Sequence, residues 1–106
     1  MKKYKIIFHS SLYKKLEDIF SYIALESPKT ATEIIYGIEK HIMSLNSTPE
    51  RFSIIPEKIF YKTYQIRHFF YKKSFRVIYT VYDDMVHILD IRHAAQDIYQ
   101  MDSKVG

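Results

Sequence analysis

Between Tyr64 and Asp97 the chain alternates apolar and polar side chains in three successive runs, Y-Q-I-R-H-F-F, F-R-V-I-Y-T-V-Y and M-V-H-I-L-D-I-R-H-A-A-Q-D, the last ending in a short tail. Polar clusters at Lys72-Lys73-Ser74 and Asp83-Asp84 separate them. Period-two runs rich in Ile, Val, Phe and Tyr suit a half-buried pleated surface, so the stretch predicts three consecutive strands. Neither reversal carries a glycine, so neither is a strong two-residue hairpin signal.

Register follows from the loop lengths that bury the aliphatic residues together, because a one-residue slip turns every side chain over. A four-residue loop over Tyr71–Ser74 sets Phe70 opposite Phe75 and Arg67 opposite Ile78. A three-residue loop over Asp83–Met85 sets Tyr82 opposite Val86 and Ile78 opposite Asp90. One face then carries Tyr64, Ile66, Phe70, Phe75, Val77, Tyr79, Val81, Leu89 and Ile91, the expected core. The other carries Gln65, Arg67, Phe69, Arg76, Ile78, Thr80, Asp90 and Arg92, so three arginines are expected to share it.

The first half of the chain changes period. Tyr4, Ile6 and Phe8 alternate with Lys5 and Ile7 and predict a first strand. Ser10 or Ser11 offers an N-cap oxygen, after which Leu12, Leu16, Ile19, Phe20 and Ile23 form one helical stripe. Ser27 suits the next N-cap and Pro28 the first helical position, where a missing N–H costs nothing. Ala31, Ile34, Ile35, Ile38, Ile42 and Leu45 make the second stripe, which Asn46-Ser47-Thr48-Pro49 stops. Gly37 inside this helix costs about 1 kcal/mol relative to alanine, and it marks either a close approach or a tolerated solvent position. Residues 50–57 are expected as an irregular crossover, and 58–62 as a short edge strand or the lead into the sheet. Residues 93–99 change period again and suggest a short helical segment, with 102–106 frayed.

The expected architecture is one α+β domain spanning residues 1–106: an N-terminal strand, an antiparallel two-helix hairpin, and a three- to four-stranded antiparallel meander with a short C-terminal helical segment. The helices cover one sheet face and leave the arginine face to water or a partner. Sixteen Lys and Arg against twelve Asp and Glu give a net charge of +4, a modest excess that favours acidic or polyanionic partners. The absence of cysteine excludes a disulfide scaffold, a thiol nucleophile and a thiolate zinc site. No apolar run is long enough for a membrane span or a signal-peptide core, so a soluble, cytoplasmic protein is expected.

Several stretches together carry a resemblance: Y-K-I-I-F at the start, S-P-K-T-A, Leu45 to Pro49 as L-x-x-x-P, Ile66-Arg67, F-R-V-I-Y at 75–79, and D-I-R-H-A-A-Q-D at 90–97. The chain resembles the RelE/ParE superfamily of bacterial toxins from type II toxin-antitoxin modules. That resemblance implies an α+β toxin neutralised by a co-encoded antitoxin whose tail wraps it. It also implies one of two targets. RelE-like members cleave mRNA in the ribosomal A site, and ParE-like members poison DNA gyrase by protein binding without hydrolysis. Fold alone does not choose between them, and a toxin-like domain that has lost activity is a further alternative.

Carried onto this sequence, the resemblance marks Arg76 as the family's most recurrent basic position, Arg67 as a Lys/Arg position on the preceding strand, His93 as a histidine of several subgroups and Tyr99 as a C-terminal tyrosine of ribonuclease members. One departure is that Phe69 and Phe70 stand where RelE-type enzymes carry a denser basic set. For metal-free RNA cleavage, fixed cations stabilise the phosphate transition state and a group titrating near neutrality moves protons. Arg67 and Arg76 would hold the scissile phosphate, His93 or Tyr99 would move protons, and Arg92, Lys72 and Lys73 would contact RNA or a partner. The leading expectation is this ribosome-dependent endonuclease, with ribosome and mRNA as partners beside the antitoxin and no cofactor. The bland alternatives are an ion pair of Arg76 with Asp90 and a bond of His93 to Asp97. His87 and His93 invite a metal, but no carboxylates complete a site.

Overall fold

A computed structural model describes residues 2–57 and 64–93. Strand β1 (Lys5–Phe8) leads through His9 directly into helix α1 (Ser10–Ala24), followed by α2 (Pro28–Met43) and a single 3-10 turn at Ser44–Asn46. Strands β2 (Ile66–Tyr71), β3 (Phe75–Tyr82) and β4 (Met85–His93) follow. Tyr13 of α1 lines the same groove as Glu39, Ile42 and Met43 of α2, so the start of one helix lies beside the end of the other and the pair is antiparallel. Among the described residues no helix is long and apolar enough to cross a membrane.

The helix boundaries follow the sequence, with one exception at the start. Ser27 accepts a hydrogen bond from the Thr30 N–H at 3.2 Å, and Pro28 opens α2 as expected. At α1 the N-cap is His9, with no side-chain capping bond, and Ser10 is already helical. Leu12, Leu16 and Ile19 are buried, whereas Phe20 of the same expected stripe is exposed. Gly37 meets the side chain of Tyr71: a Cβ here would overlap the tyrosine hydroxyl and ring. Its smallness serves a strand-to-helix approach.

The sheet is mixed, which corrects the expected antiparallel meander. Strand order is β1-β4-β3-β2, with β1 parallel to β4 through Lys5↔Met85 and Phe8↔Ile88. Alternation tells which side chains point inward but not which strand lies alongside. The chain leaves β1 through the helices, re-enters at the far edge with β2, and steps back until β4 meets β1.

Register differs from expectation in two places. In the first hairpin Tyr71 pairs with Phe75 and Arg67 with Tyr79, so the loop has three residues and β2 is turned over relative to the expected register. Phe69 is therefore the core residue, 3% exposed, while Phe70 is 53% exposed. In the second hairpin Tyr82 pairs with Met85 across a two-residue turn at Asp83-Asp84. A bulge then intervenes: Tyr79 pairs with Ile88 but Ile78 with Asp90, leaving Leu89 as the extra residue on β4. The bulge restores the expected pairing of Ile78 with Asp90 beyond it, so Ile91 returns to the core and Asp90 and Arg92 stay out.

Behind the helices the core joins Leu12, Leu16, Ile19, Ile38, Ile42 and Leu45 to Phe69, Phe75, Val77, Tyr79, Val86, Ile88 and Ile91. The other face is not left open. Ile55 packs on Ile66 and Ile78, with Leu89 beside them, in a second apolar cluster. The segment carrying Ile55 extends the sheet beyond β2: the Ile55 N–H donates to the Ile66 carbonyl at 2.9 Å and the His68 N–H to the Ser53 carbonyl at 3.1 Å. β3 is consequently buried on both faces from Phe75 to Thr80.

Candidate functional site

The face away from the helices centres on Arg76, which is only 5% exposed despite its charge. Its Nη1 and Nη2 donate to Oε2 and Oε1 of Glu57 at 2.8 and 2.7 Å, the fork-to-fork geometry of a strong guanidinium–carboxylate pair. Its Nε donates to Nδ1 of His68 at 2.8 Å. Arginine only donates, so Nδ1 accepts and the His68 proton sits on Nε2 of a neutral ring. Burial lowers the His68 pKa below its ordinary value, and the adjacent Arg76 charge adds to this. The hydrogen bond from Arg76 lowers the Glu57 pKa against the opposing effect of burial. The centre is a carboxylate, a guanidinium and a neutral imidazole locked together, with the exposed Phe70 ring 5.9 Å from the guanidinium carbon.

Arg67 lies on the other side of the sheet. It shares the helix face with Tyr79, its cross-strand partner, and its Nη1 donates to the carbonyls of Phe52 at 2.7 Å and Glu50 at 3.3 Å. Tyr79, fully buried, donates its hydroxyl to the Pro49 carbonyl at 2.7 Å. Burial pushes its pKa up to about 12. Arg67 and Tyr79 thus pin residues 49–52 over the edge of the core, where Phe52 packs on Phe69 at 5.0 Å. The expected common face for the three arginines is overturned, because the three-residue loop after Tyr71 reverses β2.

The remaining expected site residues scatter. Arg92 stands directly across from Arg76, and its Nε donates to Asp90 at 2.8 Å. Asp90 also receives Lys15 from α1 at 2.6 Å, so it pairs with those two and not with Arg76 as the bland alternative supposed. His93 pairs with Phe75 on the helix face and lies against Tyr22 and Phe75 at 5.5 and 4.8 Å, across the sheet from Arg76. The bulge puts His87 on the opposite face from His93, stacked on Tyr82 at 3.9 Å. Among the described residues no cluster of His, Asp and Glu fits a metal ion. Lys72 and Lys73 occupy the exposed tip between β2 and β3. Tyr99 and Asp97 lie outside the described residues.

The members that sequence reasoning missed are Glu57 and His68. Glu57 lies in the crossover, nineteen positions from Arg76, and nothing local pairs them. His68 follows Arg67 directly, and the expected register gave it no place on the arginine face.

A groove of about 620 Å³ runs along β1, lined by Tyr4, Ile6, Phe8, Tyr13, Ile42 and Met43, with Lys5, Glu39 and Asn46 at its polar margin. β1 is an edge strand, and Tyr13 and Met43 are exposed beside it.

A search of curated proteins finds no match to the sequence. The family model described as "ParE toxin of type II toxin-antitoxin system, parDE" matches residues 6–98, which run from β1 past the end of β4. The strand, the helical hairpin and the sheet that hold Arg67 and Arg76 all fall within that match, and the chain belongs to the ParE toxin family of type II toxin-antitoxin systems.

Proposed function

We propose that this toxin acts by binding a protein target, DNA gyrase, as the ParE-like branch of the superfamily does, and that it does not cut mRNA. The observation that carries this reading is the separation of Arg67 from Arg76. Phosphoryl transfer concentrates charge on one phosphate and calls for fixed cations converging on it. Here the two guanidiniums sit on opposite faces of the sheet, one on the carbonyls of Glu50 and Phe52, the other on Glu57. A phosphate would have to displace Glu57 to reach the Arg76 fork. His93, the expected proton carrier, lies across the sheet from Arg76. The match to a ParE model supports the same reading.

The toxin-antitoxin family implies a cognate antitoxin. The groove along β1 supports a seat for an apolar segment of that antitoxin, because it combines exposed aromatic and methionine side chains with the edge of a sheet.

Induced expression with both pathways followed tests the assignment. The expected result is stabilised gyrase-cleaved DNA and a DNA-damage response with mRNA intact. Cuts in mRNA at codon boundaries with DNA undamaged would overturn it.

A further inference from the structure

Each helix of the hairpin turns one flank to a strand and leaves the other outside. On α1, Lys15 reaches Asp90 and Tyr22 lies on His93, both of β4. On α2, Gly37 meets Tyr71 and His41 packs on the same ring at 5.0 Å, on the β2 side. The opposite flanks carry Tyr13, Glu17 and Phe20 on α1 and Tyr36, Glu39 and Met43 on α2. Each of the six follows a residue of the core stripe by one position, so it is turned about 100° from the core.

Tyr13 lines the groove with Glu39 and Met43, so the two flanks face each other across the antiparallel pair. Tyr13 and Phe20 are two turns apart, about 10 Å, and so are Met43 and Tyr36, which sets Phe20 level with Tyr36 at the far end of the seam. All four of these apolar side chains are exposed; Tyr13 packs on Phe8 at 4.9 Å yet keeps most of its surface in water. Glu17 and Glu39 fall at one level between the two pairs. Among the described residues neither carboxylate forms an ion pair, and the lysines nearest Glu17 are committed elsewhere, Lys14 to Asp18 and Lys15 to Asp90. Two carboxylates at the centre of an apolar strip repel each other, and a cation from outside relieves both.

We propose that this seam is the contact surface for the toxin's protein target, and that it seats a basic amphipathic helix of that target, apolar at both ends of a two-turn stretch and cationic between. The proposal rests on the reading above that the toxin acts by binding a protein. Tyrosine and methionine are residues that protein interfaces concentrate, a helix laid along a groove uses anchors about two turns apart, and opposite charge at the centre fixes its register. The same two carboxylates repel an acidic segment. Tyr13, Glu39 and Met43 belong both to the seam and to the groove along β1, so an antitoxin seated in the groove denies the target one end of it.

Growth arrest on induction, gyrase binding by biolayer interferometry and antitoxin binding, each compared between the native chain, F20A/Y36A and E17K, test this. Phe20, Tyr36 and Glu17 do not line the groove, and Glu17 is exposed, so E17K keeps the test open should F20A/Y36A fold poorly. The expected result in each variant is loss of growth arrest and gyrase binding weakened at least about tenfold, with antitoxin affinity kept within about twofold and thermal unfolding retained. Full toxicity in the folded variants would overturn the proposal. An equal loss of antitoxin affinity would make the seam an antitoxin seat and overturn it too. Should the native toxin bind no gyrase while the variants lose growth arrest, the seam stands as the target contact and the assignment to gyrase falls.

Discussion

Arg67 and Arg76 stand on neighbouring strands and point to opposite faces of the sheet, one clamping the carbonyls of Glu50 and Phe52, the other clamped by Glu57. Each is therefore a structural tie between the sheet and the crossover that precedes it. Arg76 is buried while Glu57 is part-exposed, so R76A and E57A, which each remove this charged hydrogen-bonded pair, are each expected to cost about 1–3 kcal/mol. The double variant should cost markedly less than the sum. Urea denaturation of the four proteins checks this; strict additivity would show that the pair is not coupled.

The Arg76 centre makes stability depend on acid. His68 has a folded pKa below 6.5, so its contribution is complete above 6.5 and falls away as pH drops through that value towards the folded pKa. Protonation would also take Nδ1 from the Arg76 Nε and set two cations side by side. Glu57, lowered from 4.5, adds a second loss below that pH. Stability measured from pH 7.5 to 5 should fall in the native protein and fall less in H68Q.

Tyr79 governs the alkaline side. Its pKa is raised from 10.0 to about 12, so the protonated hydroxyl contributes fully below 10 and the contribution is lost as pH rises from there towards 12. Y79F is expected to lose about 1–2 kcal/mol at neutral pH, because the Pro49 carbonyl gives up its donor. The same variant should show a flatter stability profile above pH 10, measured by thermal unfolding.

Gly37 should behave differently in two backgrounds. In the native protein G37A pushes the Tyr71 ring off α2, an overpacking cost of about 1–3 kcal/mol that outweighs the helical gain of alanine. With Y71A already present, the same change should stabilise by up to about 1 kcal/mol, since only the propensity remains. A sign reversal between the two backgrounds, read from denaturant midpoints, is the expected signature.

The groove along β1 gives a prediction about the antitoxin. M43E places a carboxylate beside Glu39 on the apolar lining, and it should weaken antitoxin binding by at least about tenfold while leaving thermal stability within about 0.5 kcal/mol. Isothermal titration against the co-encoded partner measures it.

How much of this the sequence discloses depends on contrast between neighbouring residues. The Leu12–Ile19 stripe, the Ser27–Pro28 cap and the two faces of β3 were all legible, because apolar and polar side chains differ sharply there. β2 was not, since Phe69 and Phe70 are the same residue and either can be set inward without changing the pattern. The bulge at Leu89 hides for a similar reason: H-I-L-D offers two adjacent aliphatics, and only the paired positive φ of Asp83 and Asp84 shortens the turn enough to require an extra residue. The Glu57–Arg76–His68 centre was beyond reach, because it forms only once β2 has its register and the crossover folds back over the sheet.

The parallel pairing of β1 with β4 has a consequence for how the toxin comes into being. Lys5 finds its neighbour only at Met85, so β1 must wait for β4, far along the chain, before its ladder can close. Loop closure over such a span is paid in entropy before any contact rewards it, and assembly is correspondingly late. Until β4 has been made, β1 has nothing to zip onto, and the opening strand is the last part of the sheet to lock.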